Sequence, residues 1–136
     1  MEKGISRREM VKSSVIAGAA LAAPLILPKR VFGANDQLIM GIIGPGGQGR
    51  GLMGIHQKAG VKFAAVCDVS ERNLQKGLEI AKRDNEGKVD DYLDYRDLLA
   101  RRDLDAVIIA TPEHQHRTQM IDAVQAGLDV YCEKPM

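Results

Sequence analysis

Three places in the chain hold residues whose types and spacing could do chemistry. In GIIGPGGQG, residues 41–49, Gly44, Gly46 and Gly49 fit G-x-G-x-x-G, with Gly47 and Gln48 between the last two. After a strand and at the mouth of a helix, such glycines supply a tight turn, close approach of backbone to a pyrophosphate, and close helix–strand packing, with the phosphates on the helix N-terminus. Taken alone, so glycine-rich a loop also reads as a flexible turn. Asp68 stands 24 positions past Gly44 (68 − 44), at the end of the next apolar run, where a carboxylate accepts both hydroxyls of an adenosine ribose. That context favours a dinucleotide site; otherwise Asp68 would cap a helix, a role for which Ser70 is better placed. A 2′-phosphate would meet the Asp68 charge at close range, so NAD is expected rather than NADP, with Arg72 partly offsetting the repulsion. The third place joins ATPEHQH, residues 110–116, to YCEKPM, residues 131–136, which hold Thr111, Pro112, Glu113, His114, His116, Glu133 and Lys134. A histidine pair in a polar loop is more often solvated or capping than catalytic, and Lys134 alone reads equally as a surface lysine or as a proton carrier.

Positioning these residues requires strands that end beside one another. The run LIMGII at 38–43 has strand length and ends in glycines. A helix is predicted over 50–59, with Leu52, Met53, Ile55 and Ala59 inward, then a second strand, VKFAAVCD, over 61–68. Ser70 would cap a helix over 71–83 that buries Leu74, Leu78, Ile80 and Ala81. After the EGKVDD turn come a short strand within 89–93, a brief helix over 95–101 and a fourth strand, DAVIIAT, over 105–111. A helix over 115–126 with Met120, Ile121 and Val124 inward stops at Gly127, and DVYC at 129–132 is the fifth strand. Solid apolar strands alternating with helices imply an α/β fold: a Rossmann-like doubly wound parallel sheet covered on both faces. In such a sheet the ligand lies beyond the carboxyl ends of the strands where strand order reverses, which brings ATPEHQH and CEKP beside the glycine loop. In the order 3-2-1-4-5, Cys67 and Cys132 lie three strand spacings apart, about 14 Å. A disulfide tolerates about 7 Å between Cα atoms, so both should be free thiols.

Composition narrows the rest. At 136 residues, 45% apolar and 27% charged, the chain suits one domain but not two of ordinary size. Residues 1–34 hold six Lys/Arg against two Asp/Glu, leaving 13 (19 − 6) against 16 (18 − 2), or −3, in the remainder. A mildly acidic body excludes nucleic acid as the expected partner. The cysteines and histidines lack zinc-ligand spacing, so no metal site is expected. The front reads as an address: SRREMVK at 6–12 precedes an uncharged stretch, 13–28, interrupted by Pro24 and short of the roughly 20 residues that span a bilayer. It resembles a twin-arginine signal, with Ser6, Arg7 and Arg8, apolar Met10 and Val11, then Lys12. Cleavage is placed near Gly33 or Ala34. Residues 1–34 are thus expected to be a signal peptide and linker that engages the twin-arginine export machinery, giving a periplasmic or otherwise exported protein, and residues 35–136 a nucleotide-binding domain.

The glycine loop, the Asp68 strand end, DAVIIATPEHQH and YCEKPM occur in an order that resembles the Gfo/Idh/MocA oxidoreductases over residues 36–136. The resemblance implies hydride transfer between NAD and a sugar, cyclitol or related polyol. It implies that Glu133 contacts the cofactor and that Lys134 contacts the cofactor and places or protonates the substrate oxygen; a lysine there can lose or lend a proton. Thr111, Pro112, Glu113 and His116 match the family's Thr-Pro-Asn-x-x-His loop, with Glu113 in place of the usual Asn. Family members resemble a two-domain design in which a second α/β domain follows Glu-Lys-Pro and supplies a catalytic histidine. The chain therefore reads as the front of a larger enzyme, inactive alone and a homo-oligomer when whole. Some NAD-dependent glycosidases of the family carry valine at the lysine position, so Lys134 argues against transient oxidation with glycoside elimination. A non-catalytic nucleotide-binding module is the remaining alternative.

Overall fold

The computed structural model describes residues 37–135 apart from Glu86, so the segment read as a signal lies outside the described residues. Five parallel strands form one sheet: β1 (Ile39–Ile43), β2 (Lys62–Cys67), β3 (Asp90–Tyr92), β4 (Ala106–Ile109) and β5 (Asp129–Cys132), in the order β3-β2-β1-β4-β5. This is the doubly wound arrangement expected of solid apolar strands, and β4 is buried at every position. The helices are α1 (Gly47–Lys58), α2 (Glu71–Ala81), α3 (Tyr95–Leu99) and α4 (Glu113–Gln125). One core layer joins Met40, Ile42, Phe63 and Ile108 to Leu52 and Met53 of α1 and Leu74, Leu78 and Ala81 of α2. The other joins Ile43, Ala65, Val107 and Ile109 to Leu98 and Leu99 of α3 and Ala123 of α4. Both faces of the sheet are covered.

Two helices start earlier than their apolar spacing predicts. α1 begins at Gly47, inside the glycine loop, with Gly46 at the cap position and its carbonyl accepting from the Arg50 N–H at 3.0 Å. Glycine is a poor helix former, but first-turn N–H groups have no partner within the helix, so the conflict there is small. Ile55 is 64% exposed and Ala59 faces solvent; the buried face of α1 is Gly49, Leu52 and Met53. α4 begins at Glu113 behind Pro112, whose φ of −57° is already helical. Glu113, His114 and His116 therefore sit on a helix, not in a loop. The inward stripe of α4 is His116, Gln119 and Ala123, whereas Ile121 and Val124 are 42% and 61% exposed. The helix turns polar side chains toward the strand ends, and apolar periodicity is blind to that.

The predicted Ser70 cap is corrected too. Ser70 occupies the cap position of α2, but its side chain makes no capping bond; the Asp68 Oδ1 accepts the Ser70 N–H at 2.8 Å instead. Gly127, φ +82°, ends α4 in the left-handed conformation that a glycine stop supplies. Gly77 on α2 permits a close approach: a Cβ there would stand 2.8 Å from both Pro45 Cβ and Val66 Cγ1. Cys67 is buried, Cys132 half-buried, and both are free thiols, with β1 and β4 between their strands. Burial, then the Asp68, Asp94 and Asp97 charges, pushes the Cys67 thiol up to about 12. Burial, then Glu133, raises Cys132.

Candidate functional site

The carboxyl ends of the strands are stitched together one after another. Asp68 N–H donates to Tyr92 O (3.2 Å), Gly44 N–H to Cys67 O (2.8 Å), Ala110 N–H to Ile43 O (2.9 Å) and Glu133 N–H to Ile109 O (2.8 Å). One sheet edge therefore carries Asp68, the glycine loop, the Thr111 connection and the Glu-Lys-Pro turn, in that order. Gly44 has φ +84°, and a Cβ on it would lie 2.8 Å from the Thr111 nitrogen, so these two connections touch backbone to backbone.

The glycine loop divides into two kinds of position. Gly44 and Gly49 pack against backbone: a Cβ on Gly49 would run into the Gly44 carbonyl oxygen. Around Gly46 and Gly47 a Cβ would meet nothing within 4 Å. Gly47 and Gln48 are exposed at the start of α1, which has no side-chain cap and no acidic residue in its first turn. Open space in front of uncapped helix N–H groups suits a diphosphate. Arg50 steadies the loop from within, donating from its guanidinium to the Pro45 carbonyl at 2.8 Å; sequence spacing did not single it out.

Asp68 is half-buried. The Ser70 N–H orients its Oδ1, and Oδ2 has no hydrogen-bond partner among the described residues. A carboxylate so aimed fits a ribose diol. Thr111 is half-buried and donates its hydroxyl to Gln119 Oε1 at 2.6 Å. Pro112 and Glu113 are exposed at the start of α4. His116 is buried, with Nε2 2.7 Å from the Thr111 carbonyl oxygen and Nδ1 3.0 Å from that of Pro135. Both its nitrogens are committed to protein carbonyls. Glu133 is half-buried at the mouth of β5, and Lys134 beside it is exposed. The structure thus gathers the glycines, Asp68, Thr111 and Glu133 on one edge and leaves Glu113 and Lys134 with no hydrogen-bond partner among the described residues. Gln119 is, with Arg50, an addition that sequence alone did not offer; its signal is its place one turn after His116 on the same helix.

Together the sheet, the loop and the strand-end carboxylate define a dinucleotide-binding Rossmann domain. The family described as oxidoreductase, NAD-binding Rossmann fold, matches residues 38–136, and the chain belongs to this Gfo/Idh/MocA family. A curated relative, a glycosyl hydrolase family 109 protein of Shewanella baltica, is 34% identical over 157 residues, covering 97% of this chain and 34% of that protein. Among solved structures, the WlbA dehydrogenase of Chromobacterium violaceum, in complex with NADH and UDP-GlcNAcA, is 27% identical with a TM-score of 0.65 over 76% of this chain and 29% of that one. The myo-inositol 2-dehydrogenase of Lactobacillus plantarum is 34% identical with a TM-score of 0.59 over 73% of this chain and 28% of that one. The chain spans about a third of the length of the curated relatives it matches. The residues present fit a nicotinamide cofactor, which when bound accepts or gives up a hydride.

Proposed function

We propose that this chain is the nucleotide-binding part of an exported, NAD-dependent oxidoreductase that acts on a sugar, cyclitol or related polyol. The observation that carries the reading is the convergence of open helix N–H groups, the Asp68 carboxylate and the Glu-Lys-Pro turn along one sheet edge. In it, Gly46, Gly47, Gln48 and Gly49 present backbone N–H groups to the pyrophosphate, Asp68 takes the ribose hydroxyls, and Thr111, Pro112, Glu113 and Glu133 border the nicotinamide end. Lys134 gives a proton to the substrate oxygen, or takes one from it, as the hydride moves. The SRREMVK segment supports export through the twin-arginine machinery, which carries folded proteins. A dehydrogenase exported in this way would keep its cofactor bound and recycle it between paired substrates.

The name of the Shewanella baltica relative favours a second reading, transient oxidation of a sugar ring followed by glycoside elimination, against which Lys134 argues. The full-length protein would be purified and assayed for bound nucleotide, then with inositols and aldoses and with aryl glycosides. Oxidation of a polyol with matching reduction of NAD supports net oxidoreduction. Release of the aryl group without net NADH replaces it with redox elimination. A protein that binds nucleotide and does neither is a non-catalytic module, and one that purifies empty and needs added NAD at each turnover loses the recycling idea.

The preference for NAD has its own check. Asp68→Ser removes both charge-assisted hydrogen bonds to the ribose, so NAD affinity should fall about 10- to 100-fold while NADP affinity rises relative to it. Unchanged NAD affinity in a titration would remove Asp68 from the site.

A further inference from the structure

His116 and Gln119 are the buried polar side chains among the described residues, each 5% exposed. Burying an imidazole and an amide is unfavourable unless their polar atoms find partners. Theirs are specific: Gln119 holds the Thr111 hydroxyl, and His116 stands between the carbonyl oxygens of Thr111 and Pro135. Both oxygens facing the ring are acceptors, so the ring is the donor in each hydrogen bond it makes. The two carbonyls belong to different connections, one after β4 and one after β5. His116 ties them together from inside α4.

The consequence falls on the residue between. Glu133 is anchored to β4 through its N–H, and Pro135 is anchored to α4 through its carbonyl. Lys134 is the single residue spanning the two anchors. We infer that His116 is a positioning residue that holds the turn 133–135, and with it Lys134, against the Thr111 connection, rather than a group that touches the cofactor. This rests on the nicotinamide end lying over that turn, as proposed above.

Two ligands separate the possibilities in the full-length protein. ADP-ribose reaches the glycine loop and Asp68 only, whereas NADH adds the nicotinamide end. His116→Ala should weaken NADH about tenfold and leave ADP-ribose affinity unchanged, and His116→Gln, which keeps an N–H donor, should recover most of the NADH affinity. Equal weakening of both ligands, no weakening of NADH, or a Gln variant no better than Ala would overturn the inference. If neither ligand binds the unsubstituted protein, the nucleotide site itself is wrong and the inference falls with it, a result distinct from the others. Should His116→Ala fail to fold, backbone amide shifts in His116→Gln decide: movement at Thr111, Glu133 and Lys134 with none at residues 46–49 supports the tie, and unmoved shifts at Glu133 and Lys134 overturn it.

Discussion

Lys134→Ala in the full-length protein should lower the rate of hydride transfer by about 10²- to 10⁴-fold, the usual contribution of a positioned proton carrier, while NAD affinity stays within about threefold. Lys134 is exposed, and none of its hydrogen-bond capacity is used by the described residues, so removing it should cost little stability. What would be lost, on the proposed reading, is the group that moves a proton as the substrate changes between alcohol and carbonyl. Lys134→Arg restores the charge but holds its proton too firmly to transfer it, so it should remain as slow as the alanine variant. Single-turnover kinetics with saturating NAD would check both. An arginine variant with near-normal rate would make the role purely electrostatic; a full-rate alanine variant would remove Lys134 from the proton transfer.

The glycine loop should split cleanly under alanine substitution. Gly44→Ala combines φ +84° with a Cβ 2.8 Å from the Thr111 nitrogen and 2.9 Å from the Ala110 carbonyl carbon. Gly49→Ala drives its methyl into the Gly44 carbonyl oxygen. The obstacles are backbone, with no flexible side chain to swing aside, so each should lower stability by about 2–3 kcal/mol and abolish NADH binding. Gly46→Ala and Gly47→Ala meet nothing within 4 Å. They should melt within a few degrees of the parent, because a shift of about 0.5 kcal/mol moves Tm by only about 2–4 °C in a domain of this size. Yet each should weaken NADH at least about tenfold, since the methyl enters the space that the pyrophosphate would fill. Thermal melts set beside NADH titrations would test the division, and normal binding by both latter variants would mean that the open space in front of α1 is not the ligand's.

Much of this was legible in the chain because the strands are solid apolar runs. Four buried positions in a row at Ala106–Ile109 admit few alternatives to a central parallel strand, and the glycine spacing with Asp68 named the edge where a ligand would sit. Helix starts were harder. Gly47 and Glu113 lie outside any apolar stripe, and what makes them helical is a permissive first turn in one case and the φ of Pro112 in the other. The inward face of α4 was illegible for a related reason. His116 and Gln119 are buried because they hydrogen-bond to two chain connections, a benefit that hydrophobic spacing does not register. Ser70 has the right side chain for a cap and does not use it: the Asn73 and Leu74 N–H groups bond to its carbonyl, and its own N–H goes to Asp68.

The close seat of Gly77 against Pro45 and Val66 has a further effect. Helix α2 leaves the sheet immediately after the Asp68–Ser70 turn and, some two turns later, leans on the glycine loop. The same rigid rod thus meets both features proposed to hold the adenosine half of a dinucleotide, and it works as a gauge for the span between them. A bulkier side chain at Gly77 would push Pro45 and Val66 away rather than fill a hole, so the spacing between the glycine loop and the Asp68 turn is set partly from the middle of a helix.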